Sequence, residues 1–300
     1  MDQHLVHFQD YLSNIKKLSV NSISAYMRDL PTFVRFLAER DVLELNGASR
    51  TDVAAYLLKL KQDGMSAATV NRKLASIRAY YKCMIEGGVL AENPTNNIRS
   101  PRIQRKEIEY LSIEEVDRLL SSPNDSDIGC RDLAILEMLY ATGLRVTELM
   151  YANIDDINLR MGFVSCNGSH GKARIIPLGR PARAALEKYI YDVRPRFRRT
   201  REAQGGGDDK ALFLNYYGER ITRQALWKIL KSYSEKAGVD KKITPQILRN
   251  SFAVHMIQNG ADLKSVQELM GHEDPVATQA YLSVSKNRIK DVYDSAHPRA

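Results

Sequence analysis

The chain has 300 residues, of which 44 are Lys or Arg and 36 Asp or Glu, giving a net charge of +8. A chain this long stands at or just past the size at which one hydrophobic core stops growing, so two medium domains are expected, and an apolar content of 44% excludes a disordered or fibrous protein. The positive charge favours an anionic partner, with nucleic acid ahead of an acidic membrane surface.

Asp2, His4, His7 and Asp10 interrupt any apolar core a signal peptide would need, so none is expected near Met1. No run of about eighteen apolar residues offers a membrane span. Cys83, Cys130 and Cys166 are far apart and odd in number, which points away from a disulfide framework or a CxxC site. The six histidines are scattered without HxxxH spacing, so no metal site is expected. The setting these features imply is cytoplasmic, with no membrane partner.

From Leu5 to about Gly88 the chain is a series of helical patterns. Ile23, Tyr26, Met27, Leu30, Phe33, Val34 and Leu37 recur at three and four, which predicts an amphipathic helix over about 21–40. A third helix opens at Ser49 or Thr51 and ends near Gly64, with Val53, Tyr56, Leu57 and Leu60 as its stripe. A fourth runs from a cap at Ser66 to the Gly87-Gly88 pair. Its Val70, Leu74, Ile77 and Tyr81 make a packing face, while Thr69, Arg72, Lys73 and Ser76 make another that is suited to DNA phosphates or, on the plainer reading, to water.

Residues 1–92 are therefore expected as a helical domain with one face suited to DNA phosphates. The prolines and polar residues of 93–102 cannot continue a helix, and Arg99, Arg102, Arg105 and Lys106 make the stretch basic, so 93–110 reads as an extended DNA-contacting linker. In the second domain, 111–300, helices are expected at about 113–122, 129–141, 145–153, 180–193, 222–237, 245–258 and 262–270. Between them, Phe163, Val164, Ile175 and Ile176 around Gly168-Ser169-His170-Gly171 predict a strand-turn-strand unit. Gly205-Gly206-Gly207-Asp208-Asp209 reads as a flexible surface connection.

Three places carry chemistry. In Ala141-Thr142-Gly143-Leu144-Arg145-Val146-Thr147-Glu148-Leu149 one helix stops at Gly143 and the next starts, leaving Arg145 in a first turn, where a salt bridge to Glu148 is the ordinary alternative. In Thr244-Pro245-Gln246-Ile247-Leu248-Arg249-Asn250, Thr244 is an N-cap and Pro245 the first helical residue, so Gln246 and Arg249 share a face away from Leu248, Phe252 and Met256. Downstream, Gly271 ends a short helix and presents His272, with Tyr281 following.

These blocks, with Leu248-Arg249-x-Ser251-Phe252-Ala253, the run Gly260-Ala261-Asp262-Leu263 to Gly271-His272, and the terminal His297-Pro298-Arg299-Ala300, resemble the bacterial Xer-type tyrosine recombinases over essentially the whole chain. The resemblance implies a mainly α protein with a small antiparallel β-sheet in the C-terminal domain: a helical SAM-like N-terminal bundle followed by an α+β catalytic domain, without the extra arm-binding domain of many phage integrases. It implies a site-specific DNA recombinase that binds core DNA through residues 1–92 and cuts and rejoins double-stranded DNA, for chromosome or plasmid dimer resolution or mobile-element integration and excision. Two guanidinium forks, Arg145 and Arg249, would clamp the scissile phosphate, His272 would add a hydrogen bond, and Tyr281, of ordinary pKa ~10, would attack to form a 3′-phosphotyrosyl bond. Because the bond energy stays in that link, no cofactor is needed.

Two departures stand out. The family's lysine on the strand-turn-strand unit, which protonates the leaving 5′-oxygen, aligns with Ser169; Lys172 lies three residues later and would either take that role or contact a backbone phosphate. Gln246 stands where the family usually has histidine, four positions before Asn250, itself often histidine; glutamine hydrogen-bonds a phosphate but exchanges no proton near neutral pH. The resemblance further implies a homo- or hetero-tetramer with a second recombinase on two DNA sites, a docking C-terminal tail, a septal DNA translocase as a further partner, and a place on the nucleoid. A catalytically weakened partner of an active recombinase and a type IB topoisomerase are the alternative readings.

Overall fold

Ser19, Ser49, Ser66, Ser112, Ser126, Thr222, Thr244 and Asp262 each stand in extended backbone, and each side chain accepts the N–H three residues on. A capping oxygen satisfies an otherwise orphaned donor and is worth about 1 kcal/mol, which is why eight helices begin where they do. The computed structural model describes residues 3–102, 107–167, 173–202 and 210–271. The chain divides into two compact units, Met1–Lys106 and Glu107–Ala300.

The first unit holds α1 (Gln3–Asp10), α2 (Val20–Ala38), α3 (Arg50–Gln62) and α4 (Ala67–Glu86), with a π-helical turn at Tyr11–Ile15 and a 3-10 turn at Leu45–Gly47. Its core is aromatic: Phe8, Phe33, Tyr80 and Tyr81 are fully buried, and Tyr80 meets both Phe8 and Tyr81 edge-on at 5.5 and 5.3 Å. Burying each such side chain stabilises the fold by roughly 1.5–3 kcal/mol. Tyr81 donates its hydroxyl to Leu45 O at 2.6 Å, so the polar end is satisfied inside the core.

The polar face expected on α4 is only partly open. Ser76 and Lys73 are buried, Thr69 is half-buried and Arg72 is exposed. The cause is Asp29 of α2, itself buried, which takes bonds from Arg72 and from Ser76 Oγ at 3.0 Å and pairs with Lys73 Nζ at 3.5 Å. Lys73 also donates to Thr32 Oγ1 at 2.8 Å. A buried carboxylate must be compensated, so Lys73 and Ser76 hold α2 to α4, and Thr69 and Arg72 are what this face leaves toward solvent.

The expected linker is likewise fastened at its ends. Asn93 Oδ1 accepts from Thr95 N and Oγ1, Ile98 packs against the first core, Arg78 donates to Ile98 O, and Asn71 Nδ2 donates to Pro101 O at 2.9 Å. At the far end, Leu111 N donates to Ser251 Oγ at 2.9 Å within the second unit. Arg99 and Arg102 are exposed; Arg105 and Lys106 lie outside the described residues.

The second unit holds α5 (Ile113–Leu120), α6 (Asp127–Thr142), α7 (Val146–Tyr151), β1 (Ile157–Asn158), β2 (Phe163–Asn167), β3 (Ala173–Pro177), α8 (Arg180–Lys188), α9 (Arg194–Glu202), α10 (Arg223–Lys236), α11 (Pro245–Gln258) and α12 (Leu263–Met270). The sheet is antiparallel in the order β1-β2-β3, with Val164 opposite Ile176 and Cys166 opposite Arg174. The sequence expects a helix ending near 193; the chain instead passes through a π-helical turn at Tyr189–Val193 into α9. Buried Val193 and Phe197, and Arg194 donating to Ala211 O at 2.7 Å, reward continuation, and the wide turn precedes Pro195, which has no N–H for a regular ladder. The glycine-rich stretch 205–209 and the C-terminal tail lie outside the described residues. Among the described residues no helix is long and apolar enough to cross a membrane.

Candidate active site

Two left-handed glycines and three helix ends shape the site. α6 stops at Gly143 (φ 58°, ψ 29°), where a Cβ would stand 2.5 Å from Phe252 Cδ1, so only glycine turns this close to α11. That turn makes Arg145 the N-cap residue of α7, its own N–H donating to Glu148 Oε2 at 2.8 Å. α11 opens on the Thr244 cap and Pro245, leaving Gln246 exposed and Arg249 only 4% exposed. α12 ends at Gly271 (φ 61°, ψ 42°).

The last carbonyls of a helix have no partner within it and form its negative end. Here three successive carbonyls receive three arginines. Arg174 Nε donates to Leu269 O at 2.8 Å, Arg249 Nη2 to Met270 O at 2.6 Å, and Arg145 Nη2 to Gly271 O. Arg249 Nη1 also donates to Gly143 O, tying the end of α6 to the end of α12.

Glu148 aims two of the three. It takes Arg174 bidentately at 2.7 and 2.8 Å and Arg145 Nη1 at 3.1 Å, with its side chain only 9% exposed. Burial alone would push the Glu148 carboxyl up; hydrogen bonds from Arg174 and the Arg145 N–H, with the charges of both guanidiniums, outweigh burial and hold it below the ordinary range. Burial alone would lower the Arg174 guanidinium, and its bonds to Glu148 outweigh that and raise it. A Cβ on Gly271 would lie 2.9 Å from Arg174 Nη1 and 3.2 Å from Arg145 Nη1, so both guanidiniums pack against a glycine.

Arg145, Arg249 and Gln246 line one cleft of about 290 Å³, together with Thr147 and Arg223. A guanidinium has five N–H donors, so the bonds that aim Arg145 leave others for an anion. Gln246 Nε2 donates to Asn250 Oδ1 at 2.9 Å, and Asn250 Nδ2 to Glu109 O at 2.9 Å: an amide pair stands where two histidines were to be looked for. Lys172, Ser169, His272 and Tyr281 lie outside the described residues. Thr69, Arg72, Lys73, Ser76, Arg99 and Arg102 belong to the first unit.

Sequence reading missed Arg174 as a site residue, as well as Arg223. One signal was available for the first. Arg174 shares a strand face with buried Ile176, and an arginine on an inward face calls for a carboxylate.

Residues 109–288 match the model of the phage integrase family, and residues 5–88 that of the phage integrase N-terminal SAM-like domain. The chain belongs to the phage integrase family. This integrase-family chain is 43% identical to a tyrosine recombinase XerD of Oceanobacillus iheyensis, over 98% of its own length and 97% of the relative's. Two solved structures share its fold. One is the XerH site-specific recombinase bound to palindromic difH substrate in a post-cleavage complex, at a TM-score of 0.74 and 20% identity, covering 96% of this chain and 83% of that one. The other is a lambda integrase tetramer bound to a Holliday junction, at 0.70 and 18%, covering 93% and 76%. The chain is a tyrosine recombinase, mainly helical with one small antiparallel sheet.

Proposed function

We propose that this recombinase cuts and rejoins double-stranded DNA at specific sites through a 3′-phosphotyrosyl intermediate, as an Xer-like enzyme acting in chromosome or plasmid dimer resolution or in mobile-element integration and excision. Arg145 and Arg249 neutralise the non-bridging oxygens of the scissile phosphate, and His272 adds a hydrogen bond. The Tyr281 oxygen gives up its proton to solvent and attacks phosphorus, the bond to the 5′-oxygen breaks, and that oxygen takes a proton from the Lys172 ammonium. The 5′-hydroxyl of a partner strand then attacks the phosphotyrosyl link, returning its proton to Lys172, while the freed Tyr281 oxygen regains a proton from solvent.

One observation supports the clamp above all. Arg249 and Arg145, far apart in the chain, donate to the successive carbonyls of Met270 and Gly271, and the next residue is His272. The working particle is a homo- or hetero-tetramer with a second recombinase on two DNA sites, a reading supported by the lambda integrase that shares the fold, a tetramer bound to a Holliday junction, and a septal DNA translocase is a further partner. The test is a nicked suicide duplex carrying a site recovered from the chain's own bound DNA. An SDS-resistant protein–DNA adduct is expected; no adduct, while a known relative forms one on its own site under the same conditions, counts against the proposal.

The Gln246–Asn250 amide pair favours a second reading, a partner with weakened catalysis. A positioned proton-transfer group is worth typically ~10²–10⁴-fold in rate. On that reading Ser169→Lys with Gln246→His raises cleavage by a factor in this range. Unchanged cleavage removes its motive.

A further inference from the structure

The cleft holds a third guanidinium. Arg223 is the first residue of α10, directly after its cap Thr222, and lines the cleft with Arg145, Gln246 and Arg249. The other arginines of the site are bound: Arg174 and Arg145 to Glu148, Arg249 to Gly143 and Met270. Arg223 differs. It is exposed, and among the described residues it makes no hydrogen bond or ion pair. Neither α10 nor α11 has an acidic residue in its first turn to neutralise it. A cation placed beside two others without a carboxylate is repelled unless an anion joins them.

The volume says which anion. At ~30 Å³ per water, a cleft of about 290 Å³ holds roughly ten waters, room for one phosphodiester group. A DNA strand whose scissile phosphate lies between Arg145 and Arg249 must leave past the rim, and Arg223 is the exposed cation there. We propose that Arg223 binds a neighbouring, non-scissile phosphate of the cleaved strand. It is a DNA-positioning residue and rests on the proposed function for the identity of the strand. Phosphate contacts fix register without reading sequence.

The test is a salt titration of binding by the full-length chain, using a duplex selected from a random-sequence pool by that chain. Each neutralised phosphate contributes about 0.9 to the slope of log K against log salt. Arg223→Ala should make the slope shallower by about 0.9, and Arg223→Lys should keep it. Lys231→Ala, which removes one charge from the same helix at a side chain 80% exposed, should leave it unchanged. An unaltered slope in Arg223→Ala, or an equal fall in Lys231→Ala, overturns the assignment. If wild type binds this duplex but forms no adduct, the proposed function fails while the slopes still decide Arg223.

Discussion

Gly271 connects backbone conformation to the placing of the Arg174 and Arg145 guanidiniums. It is left-handed, which costs an L-residue roughly 1–2 kcal/mol, and a Cβ would press on the Arg174 and Arg145 guanidiniums at 2.9 and 3.2 Å. Gly271→Ala should destabilise the second unit by about that amount and lower single-turnover cleavage about 10²-fold, the penalty of a displacement near 1 Å. Thermal unfolding and suicide-substrate kinetics check the two parts. Residues of this kind were legible in part. Gln246 and Arg249 could be placed on one face from capping and spacing alone, and they do line one cleft, which Arg145 of another helix shares. The carbonyls that aim the arginines were not legible, because Gly143, Met270 and Gly271 contribute backbone oxygens that every residue has.

At the scale of elements, β3, α7 and the end of α12 are joined through Glu148. This is the part sequence reading could not supply: Arg174 announces a need for a carboxylate but not which one, and Glu148 was read only as a local partner of Arg145. Glu148→Gln keeps shape and removes charge, so cleavage should fall about 10²-fold while DNA affinity is retained, measured as rate at saturating protein against binding. Its carboxyl lies below the ordinary glutamate value of 4.5 in the folded chain. The stability it contributes is therefore whole above that value and is lost as pH falls through the lower folded one. The Glu148→Gln chain should lose less stability than wild type over that acid window in urea titrations. Helix existence was readable because eight caps are local chemistry. The continuation through Pro195 was not, since tertiary burial of Val193 and Phe197 overrides the break that proline suggests.

At the scale of the molecule, each unit has its own core and its own fastening of the chain that joins them. The first unit spends Lys73 and Ser76 on Asp29 and keeps Thr69, Arg72, Arg99 and Arg102 toward solvent. The second brings Arg145 and Arg249, the proposed phosphate clamp, to the ends of α6 and α12. The proposed strand exchange rests on a covalent link to Tyr281, and peptide mass spectrometry of the DNA adduct tests it directly. A 3′-phosphate is expected on the peptide containing Tyr281, and none in Tyr281→Phe. A phosphate on another residue, or a link to the 5′ end of the broken strand, contradicts it.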